Sequence, residues 1–267
     1  MPLPTILHED DVLIAFNKPA GLPVVPEPGI TPTQVPLMRL VRARYGEGVA
    51  TVHRIDTETG GVLLCAKTKP ALDFLSGQFQ GKTAIKIHHA LVAVLPPEAL
   101  AGVSAPMRTP AGMRPETFTV DLAVAEDEHQ RGRMLAGKLR GSRPATTEFR
   151  LLEHFGRFAW LECRPLTGRT HQVRVHLAES GLPVLNDPLY GRPEIELRLS
   201  ALKRGYKGRD DEQPLIRRLA LHAGVLSVKH PTTGEPITFT APLPHEFEVA
   251  LKNLRKFSAG ARRAQPG

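Results

Sequence analysis

Short stretches of apolar residues, either alternating with polar ones or running together, predict that strands outnumber helices in this chain. Stretches rich in β-branched, aromatic and alternating apolar residues are typical of strands. Turn signals such as the Lys-Pro-Ala-Gly sequence at residues 18–21 mark where a strand stops. The predicted strands are residues 12–16, 62–67, 83–94, 145–153 and 158–163.

Four other segments place apolar residues at helical spacing. In the first of them Pro36 suits the first helical turn, and Gly46 suits the end. The predicted helices are residues 36–45, 70–79, 170–179 and 247–254. We find no internal repeat and no coiled-coil heptads. Helices scattered among hairpin-like strands favour the α+β class over a regular βαβ array.

Composition and charge point to a globular protein with an anionic partner. A length of 267 residues with 41% hydrophobic content suits one globular unit, or two closely packed halves, with an adequate core. The formal net charge is +8 and the isoelectric point is near 9.8. Phosphate contacts dominate the affinity of basic proteins for nucleic acids, so RNA is the natural candidate partner.

Cysteine usage and the N-terminus indicate a reducing compartment. Cys65 and Cys163 both fall in apolar, strand-like stretches and are predicted to be reduced core residues, not a disulfide framework. The N-terminus lacks a basic region followed by a long apolar stretch, and no uninterrupted apolar run approaches membrane-spanning length. We therefore expect a soluble cytoplasmic protein that is monomeric and not bound to a membrane.

Two stretches concentrate positive charge. Residues 131–143 contain several glycines and only positive charges, so we predict a mobile segment that could close over a phosphate backbone. Its candidate RNA contacts are Arg131, Arg133, Lys138, Arg140 and Arg143. Residues 198–209 form a second basic stretch that has the character of an insertion. For each stretch a merely solvated surface is the alternative. We predict that the basic tail, residues 258–267, is disordered.

The candidate chemistry centres on the sequence HRIDTETGG at residues 53–61, directly before a predicted strand. Asp56 lies two positions from Arg54 and three from His53. An opposite charge nearby lowers the pKa of a carboxylic acid, so Asp56 stays ionised at neutral pH if either cation pairs with it. An ionised aspartate can act as a nucleophile. The alternative is an ordinary loop aspartate that makes a turn or capping contact.

This segment resembles the H-R-[LI]-D-x-x-T-[SG]-G-x-L-L signature of pseudouridine synthases, in the branch called RluA-type. Further blocks are similar to that branch in the same order, and they are residues 11–22, 164–177, 183–191, 218–223, 230–237 and 241–244. The resemblance implies an α+β catalytic domain over residues 1–257, with a large mixed, mainly antiparallel sheet in two packed halves and a central active-site cleft. We expect no S4 RNA-binding domain, since the matching blocks start at Asp11.

The resemblance implies an isomerase that converts uridine to pseudouridine in ribosomal or transfer RNA without a cofactor or metal. This reaction breaks the bond between N1 and C1′, turns the uracil and rejoins it through C5. A single carboxylate suffices, whereas glycosidases that release a sugar usually need two. By resemblance Asp56 would initiate cleavage by attacking the ribose, by attacking the base, or by removing a ribose proton.

The resemblance also assigns roles to several cations. Arg169 would hold Asp56 ionised and oriented, for which a bidentate pair is favoured. The target uridine must leave its stack, which costs a few kcal/mol, and Arg54 would occupy the space that it vacates. His53 and Lys18 are grouped with Arg54 as RNA-contact candidates. We expect His53 chiefly to shape the loop, and Lys18 to contact either RNA or the loop that carries Asp56.

Two positions depart from the family pattern. The family usually shows K-x-Y-x-A-L-V where this chain has KIHHALV at residues 86–92, so His88 replaces a tyrosine that packs on the target uracil. Imidazole can still stack on a base and titrates nearer neutrality than phenol, which predicts a changed pH profile or a weak or lost activity. Asn186 replaces a glycine, which is tolerable if the backbone there is left-handed.

Two other classes of function compete with this interpretation. His88 and the basic stretches favour a former synthase that binds structured RNA without isomerising it. A metal-dependent hydrolase has little support. His171 and His176 lie five apart on a predicted helix, so they do not share a face as residues four apart would.

Overall fold

The computed structural model describes residues 2–26, 34–104, 116–206, 208, 211–258 and 262–263. It is a mixed α+β structure with a large, mainly antiparallel sheet and few helices, as the sequence predicted. The described strands are β1 (Ile6–Glu9), β2 (Leu13–Lys18), β3 (Ala50–Thr51), β4 (Gly60–Ala66), β5 (Ile85–Ala93), β6 (Thr117–Asp121), β7 (Val124–Glu126), β8 (Met134–Ala136), β9 (Thr146–His154), β10 (Phe158–Pro165), β11 (Leu221–Lys229), β12 (Pro236–Thr240) and β13 (Arg262–Arg263).

The four predicted helices are confirmed, with shifts of at most three residues at their ends. The described α-helices are α1 (Leu37–Tyr45), α2 (Lys69–Gln80), α3 (Gln172–Glu179), α4 (Leu199–Leu202) and α5 (His245–Phe257). Pro36 caps the start of α1 and Gly46 its end, where the Gly46 amide donates to Arg42 O. The short helix α4 lies in the predicted insertion; Lys207 and Arg209 of that insertion lie outside the described residues.

The chain divides into two compact units. The first unit comprises Met1–His88 and His222–Pro242. Its strands follow the order β1, β2, β4, β11, with β3 paired to β4 and β12 paired to β11. The pairs β1–β2, β2–β4, β3–β4 and β11–β12 are antiparallel, and β4–β11 is parallel.

Strand β4 forms the centre of the first unit because all seven of its residues are buried. Alternate residues of a strand point to opposite faces. Val62 and Leu64 accordingly pack in one hydrophobic cluster with Leu75 of α2. Leu63 packs in another cluster with Leu37 of α1. A nearly continuous apolar strand is expected where both faces of a sheet are covered.

Gly61 fixes the contact between β4 and β11. Its φ of 126° lies in the region that favours glycine, and a Cβ at this position would clash with the backbone oxygen of Ala223. The registers His222↔Gly60 and Ala223↔Gly61 join the two strands where the candidate catalytic loop ends. Gly61 is therefore a packing requirement at the end of that loop.

The second unit comprises His89–Leu221 and Leu243–Gly267. Its strand order is β5, β10, β9, and both β6 and β13 pair with β9. A large cluster covers these strands and includes Phe149, Trp160 and Phe247. Helix α5 contributes its buried face, and the Arg255 side chain pairs with Glu153 of β9. The β13 pair at Arg262–Arg263 lies within the tail that the sequence predicts to be disordered.

The glycine-rich basic stretch differs from the predicted mobile loop. Strands β7 and β8 pair antiparallel, and the backbone of Val124 also exchanges hydrogen bonds with that of Arg143. Asp127 Oδ1 accepts hydrogen bonds from the amides of His129 and Gln130 and so closes the turn. We call residues 124–143 the basic hairpin.

Candidate active site

Asp56 lies half-buried in the loop between β3 and β4. Its backbone oxygen accepts a hydrogen bond from Thr59 N at 3.1 Å, which makes the segment a tight turn. Thr57 O accepts a hydrogen bond from Gly21 N at 2.8 Å. The loop with the candidate catalytic carboxylate is thus joined to the NKPAG turn at residues 17–21.

Lys18 is the centre of that junction. The residue is 0% exposed, and its Nζ lies 3.0 Å from Pro19 O, 2.8 Å from Leu22 O and 3.0 Å from Thr57 O. An ammonium group has three protons to donate. Of the two alternatives for Lys18, contact with the loop that carries Asp56 is the one found. The side chain has no exposed surface in this structure, and its contact with RNA stays a prediction.

His53 also holds this loop in place. Its Nε2 accepts a hydrogen bond from Leu64 N at 3.0 Å, and its ring stacks on Phe79 with centroids 5.2 Å apart. Burial, with a smaller effect of the nearby Lys86 charge, lowers the pKa of His53 to about 3. The imidazole is therefore neutral at physiological pH. It acts as an acceptor that holds the loop, as predicted, and its contact with RNA stays a prediction.

Arg54, between His53 and Ile55, is exposed and so can reach a ligand outside the protein.

On β5, His88 and Lys86 are two positions apart and share a face of the strand. Both are half-buried. Burial lowers the pKa of Lys86 to about 8. Sequence reasoning missed Lys86, although it opens the KIHHALV block.

The neighbouring His89 points to the opposite face of β5. It stacks on Trp160 with centroids 5.4 Å apart and an interplanar angle of 14°. Burial lowers its pKa, with a smaller opposing effect of Glu162. His89 is thus part of the packing of the second unit.

Arg169 lies in the loop between β10 and α3, in the second unit. Its amide donates to Gln172 Oε1 at 3.1 Å, and its Nε donates to Pro144 O at 3.1 Å. Gln172 is 3% exposed. Its Oε1 also accepts from Thr167 Oγ1, and its Nε2 donates to Thr146 O and to Thr147 Oγ1. Gln172 is a residue that sequence reasoning missed, and it fixes the backbone that carries Arg169.

The basic hairpin presents most of its predicted cations to solvent: Arg131, Lys138, Arg140 and Arg143 are exposed. Arg133 instead is half-buried and lies 3.9 Å from Asp127. Val124 and Met134 of the hairpin pack with Val175 of α3 in a small cluster. The hairpin is therefore anchored to the helix that follows Arg169.

His176 of the second unit is a structural group. His176 is 0% exposed, lies 3.0 Å from Thr147 Oγ1, and donates through Nε2 to Leu122 O. Its pKa is lowered by burial.

Asn186 has a φ of 56°, which confirms the left-handed backbone that its replacement of glycine requires. Among the described residues no three His, Cys, Asp or Glu side chains gather to hold a metal ion.

Comparison with known proteins gives a consistent result. The family model described as RNA pseudouridylate synthase matches residues 12–179. The chain is 34% identical over 253 residues to "Ribosomal large subunit pseudouridine synthase D" of Neisseria meningitidis, covering 94% of this chain and 61% of that protein. It is 35% identical to "Uncharacterized RNA pseudouridine synthase YlyB" of Bacillus subtilis, covering 94% of this chain and 73% of that protein. The chain thus spans about three fifths of the length of the Neisseria relative.

Solved structures show the same fold. "Human RNA Pseudouridylate Synthase Domain Containing 4" matches with a TM-score of 0.64 at 23% identity, over 94% of this chain and 92% of that chain. Its human counterpart "Domain Containing 1" matches with a TM-score of 0.61 at 23% identity, over 94% of each chain. Each helix in the described ranges is shorter or more polar than a membrane span requires. By its sequence match, the chain belongs to the RNA pseudouridylate synthase family.

Proposed function

We propose that this protein isomerises specific uridines in RNA to pseudouridine, with Asp56 as the catalytic residue. Family membership supports the reaction. One observation carries the assignment of Asp56. The loop that contains it is held in place by hydrogen bonds of Lys18, Gly21 and His53. A polar side chain on a loop that the buried Lys18 and the half-buried His53 hold in place has the pre-organisation that catalysis needs.

The reaction needs no net oxidation and no water. The bond between uracil N1 and ribose C1′ breaks, a bond between C5 and C1′ forms, the C5 proton is lost and N1 ends with a proton. Asp56 starts this exchange, and the three routes of attack on the ribose, attack on the base, or removal of a ribose proton all need its carboxylate ionised. Arg169 is proposed to supply the guanidinium that keeps it so.

Access to a paired uridine requires base flipping, which costs a few kcal/mol. The exposed Arg54, two residues from Asp56, is proposed to fill the gap that the flipped base leaves. His88 is proposed to stack on the uracil in the place of the family's tyrosine. The cations of the basic hairpin would supply phosphate contacts, which position the RNA without reading its sequence.

Ribosomal RNA of the large subunit is the first substrate to test, because the Neisseria relative carries that substrate in its name. Transfer RNA is the second. Either substrate would place the protein in the cytoplasm, where we propose that it acts as a monomer without a cofactor.

The test uses total RNA from cells that lack the gene. Purified wild-type protein, Asp56→Asn and Asp73→Asn are each incubated with this RNA, and new pseudouridines are mapped by carbodiimide labelling. Asp73 is a suitable control because it is an exposed aspartate on α2 that pairs with Lys69. We expect new sites with wild type and Asp73→Asn and none with Asp56→Asn. Product from Asp56→Asn at the wild-type rate would contradict the assignment.

A second candidate function is RNA binding without isomerisation, which the replacement of tyrosine by His88 favours. In that case all three proteins would bind RNA and none would form product. Retention of the RNA with each protein on a filter measures binding in the same mixtures, so binding without product distinguishes this function from the first.

A further inference from the structure

The hydroxyl group of Tyr190 joins two segments of the second unit. Met134 N, at the start of β8, donates to this oxygen at 2.7 Å. His171 Nδ1, directly before α3, lies 3.0 Å from the same oxygen. A phenol can accept one hydrogen bond from an amide and donate its own proton to a neutral imidazole nitrogen. Both contacts are therefore satisfied at once.

The two segments carry different parts of the proposed machinery. Met134 belongs to the basic hairpin, whose exposed cations are the candidate phosphate contacts. His171 lies two residues after Arg169, and its left-handed φ of 52° marks the bend between the Arg169 loop and α3. The segments meet again where Arg169 Nε donates to Pro144 O, the residue that follows Arg143.

Tyr190 is itself held rigidly. Its amide donates to Asp187 Oδ1 at 3.2 Å, and Asp187 forms a bidentate ion pair with Arg174 of α3 through two contacts of 2.7 Å. The two side chains of this pair are 1% and 0% exposed. The Arg174 guanidinium also lies 5.3 Å from the centre of the Tyr190 ring. Tyr190 is thus fixed to α3 through Asp187 and Arg174. Its hydroxyl group links this helix to the basic hairpin.

We propose that Tyr190 is a positioning residue that couples the basic hairpin to the Arg169 segment. RNA phosphates that bind the exposed hairpin cations restrain β8, and the hydroxyl of Tyr190 transmits this restraint to His171 and so to the backbone of Arg169. The proposal rests on the proposed function, because it makes the position of Arg169 depend on bound RNA. Arg169 thereby becomes ordered for reaction when RNA occupies the hairpin.

The test compares Tyr190→Phe, which removes only the hydroxyl, with Tyr206→Phe. Tyr206 is a matched control because its hydroxyl makes no hydrogen bond within the described part of the chain, and its ring instead faces Lys203. Amide hydrogen exchange is measured on the full chain with and without deproteinised large-subunit ribosomal RNA. We expect RNA to slow exchange in both the hairpin and residues 167–172 of wild type and of Tyr206→Phe. In Tyr190→Phe we expect slowing in the hairpin alone.

Single-turnover rates of single and combined variants give a second readout. A purely structural role of Tyr190 would leave the effects of the substitutions additive. We expect Tyr190→Phe to lower the rate constant about ten-fold, as misplacement of a catalytic group does. Replacing Arg140 and Arg143 by Gln should then lower the rate less in this background than in wild type. Additive effects, or undiminished protection of residues 167–172 in Tyr190→Phe, would overturn the proposal. If wild type forms no product, the proposed function fails, while the exchange data still decide the coupling.

Discussion

The ammonium group of Lys18 donates a hydrogen bond to the backbone oxygen of Thr57, the residue that directly follows Asp56, at 3.0 Å. A buried lysine is rare because transfer of its charge out of water is costly unless polar partners compensate. Here three backbone oxygens supply that compensation. The family's NKPxG turn therefore contributes to the site through the loop that it holds.

Replacing Lys18 by Met should lower the rate of pseudouridine formation by about ten-fold or more, because Asp56 loses its fixed position. Loss of the three Lys18 hydrogen bonds should also cost about 1–3 kcal/mol of the free energy of unfolding. Single-turnover rates and denaturant unfolding measure the two effects. Lys69→Met is the control, since Lys69 is exposed on α2 and pairs with Asp73. Equal rates for the two variants would show that the turn does not position Asp56.

Acidification should destabilise the protein through His53. Its pKa is about 3 in the folded protein and 6.5 in the unfolded chain, so between these values the unfolded chain binds the extra proton. The stabilisation is complete above pH 6.5 and is lost as the pH falls towards 3, at up to about 1.4 kcal/mol per pH unit. Denaturant unfolding at several pH values measures this slope.

His53→Gln keeps an acceptor for Leu64 N but removes the titrating group. Its free energy of unfolding should therefore depend less steeply on pH than that of wild type over this interval. Other buried histidines, such as His176, contribute equally to both proteins and cancel in the difference. Identical slopes would mean that His53 takes up its proton in the folded protein.

Gln172→Met should weaken catalysis without altering the charge of the site. The variant removes the acceptor for Arg169 N and the hydrogen bonds that Gln172 makes with Thr167 Oγ1 and Thr146 O. We expect a rate about ten-fold lower and a loss of about 1–3 kcal/mol in the free energy of unfolding. Gln213→Met is the control, because Gln213 is exposed. A fall in stability with an unchanged rate per folded molecule would separate Gln172 from catalysis.

His88→Tyr tests the departure from the family pattern. We expect the tyrosine to raise the single-turnover rate, because it restores the side chain that the family usually has at this position. The control is His245→Tyr, at an exposed position at the start of α5. A lower rate in His88→Tyr would show that the imidazole takes part in the reaction.

Much of the fold could be predicted because its signals are local. The apolar run at Gly60–Ala66 and the helical spacing after Pro36 both predicted their elements. The hairpin of β7 and β8 was missed, since strands of three residues are too short to show a period, and their pairing depends on contacts with α3. Pattern reasoning assumes that charged side chains face water, so it missed the burial of Lys18.

The site was predicted through its motifs, and the residues missed lie around them. Gln172 and Tyr190 carry no charge and stand inside matched blocks, so nothing in the sequence alone distinguished them from packing residues. Only the distances reveal that one holds the Arg169 backbone and the other bridges His171 and Met134. The neutral state of His53 likewise follows from its burial, which the spacing of residues in the sequence does not predict.

The first unit is built from two stretches of chain that are far apart in sequence, since β11 comes more than 150 residues after β4. During synthesis on the ribosome, β4 therefore lacks its parallel neighbour until the segment His222–Pro242 has emerged. The pairing of Gly61, five residues after Asp56, with Ala223 cannot form before that segment is available. A nascent chain would thus complete the sheet next to the Asp56 loop only after both stretches of this unit have been synthesised.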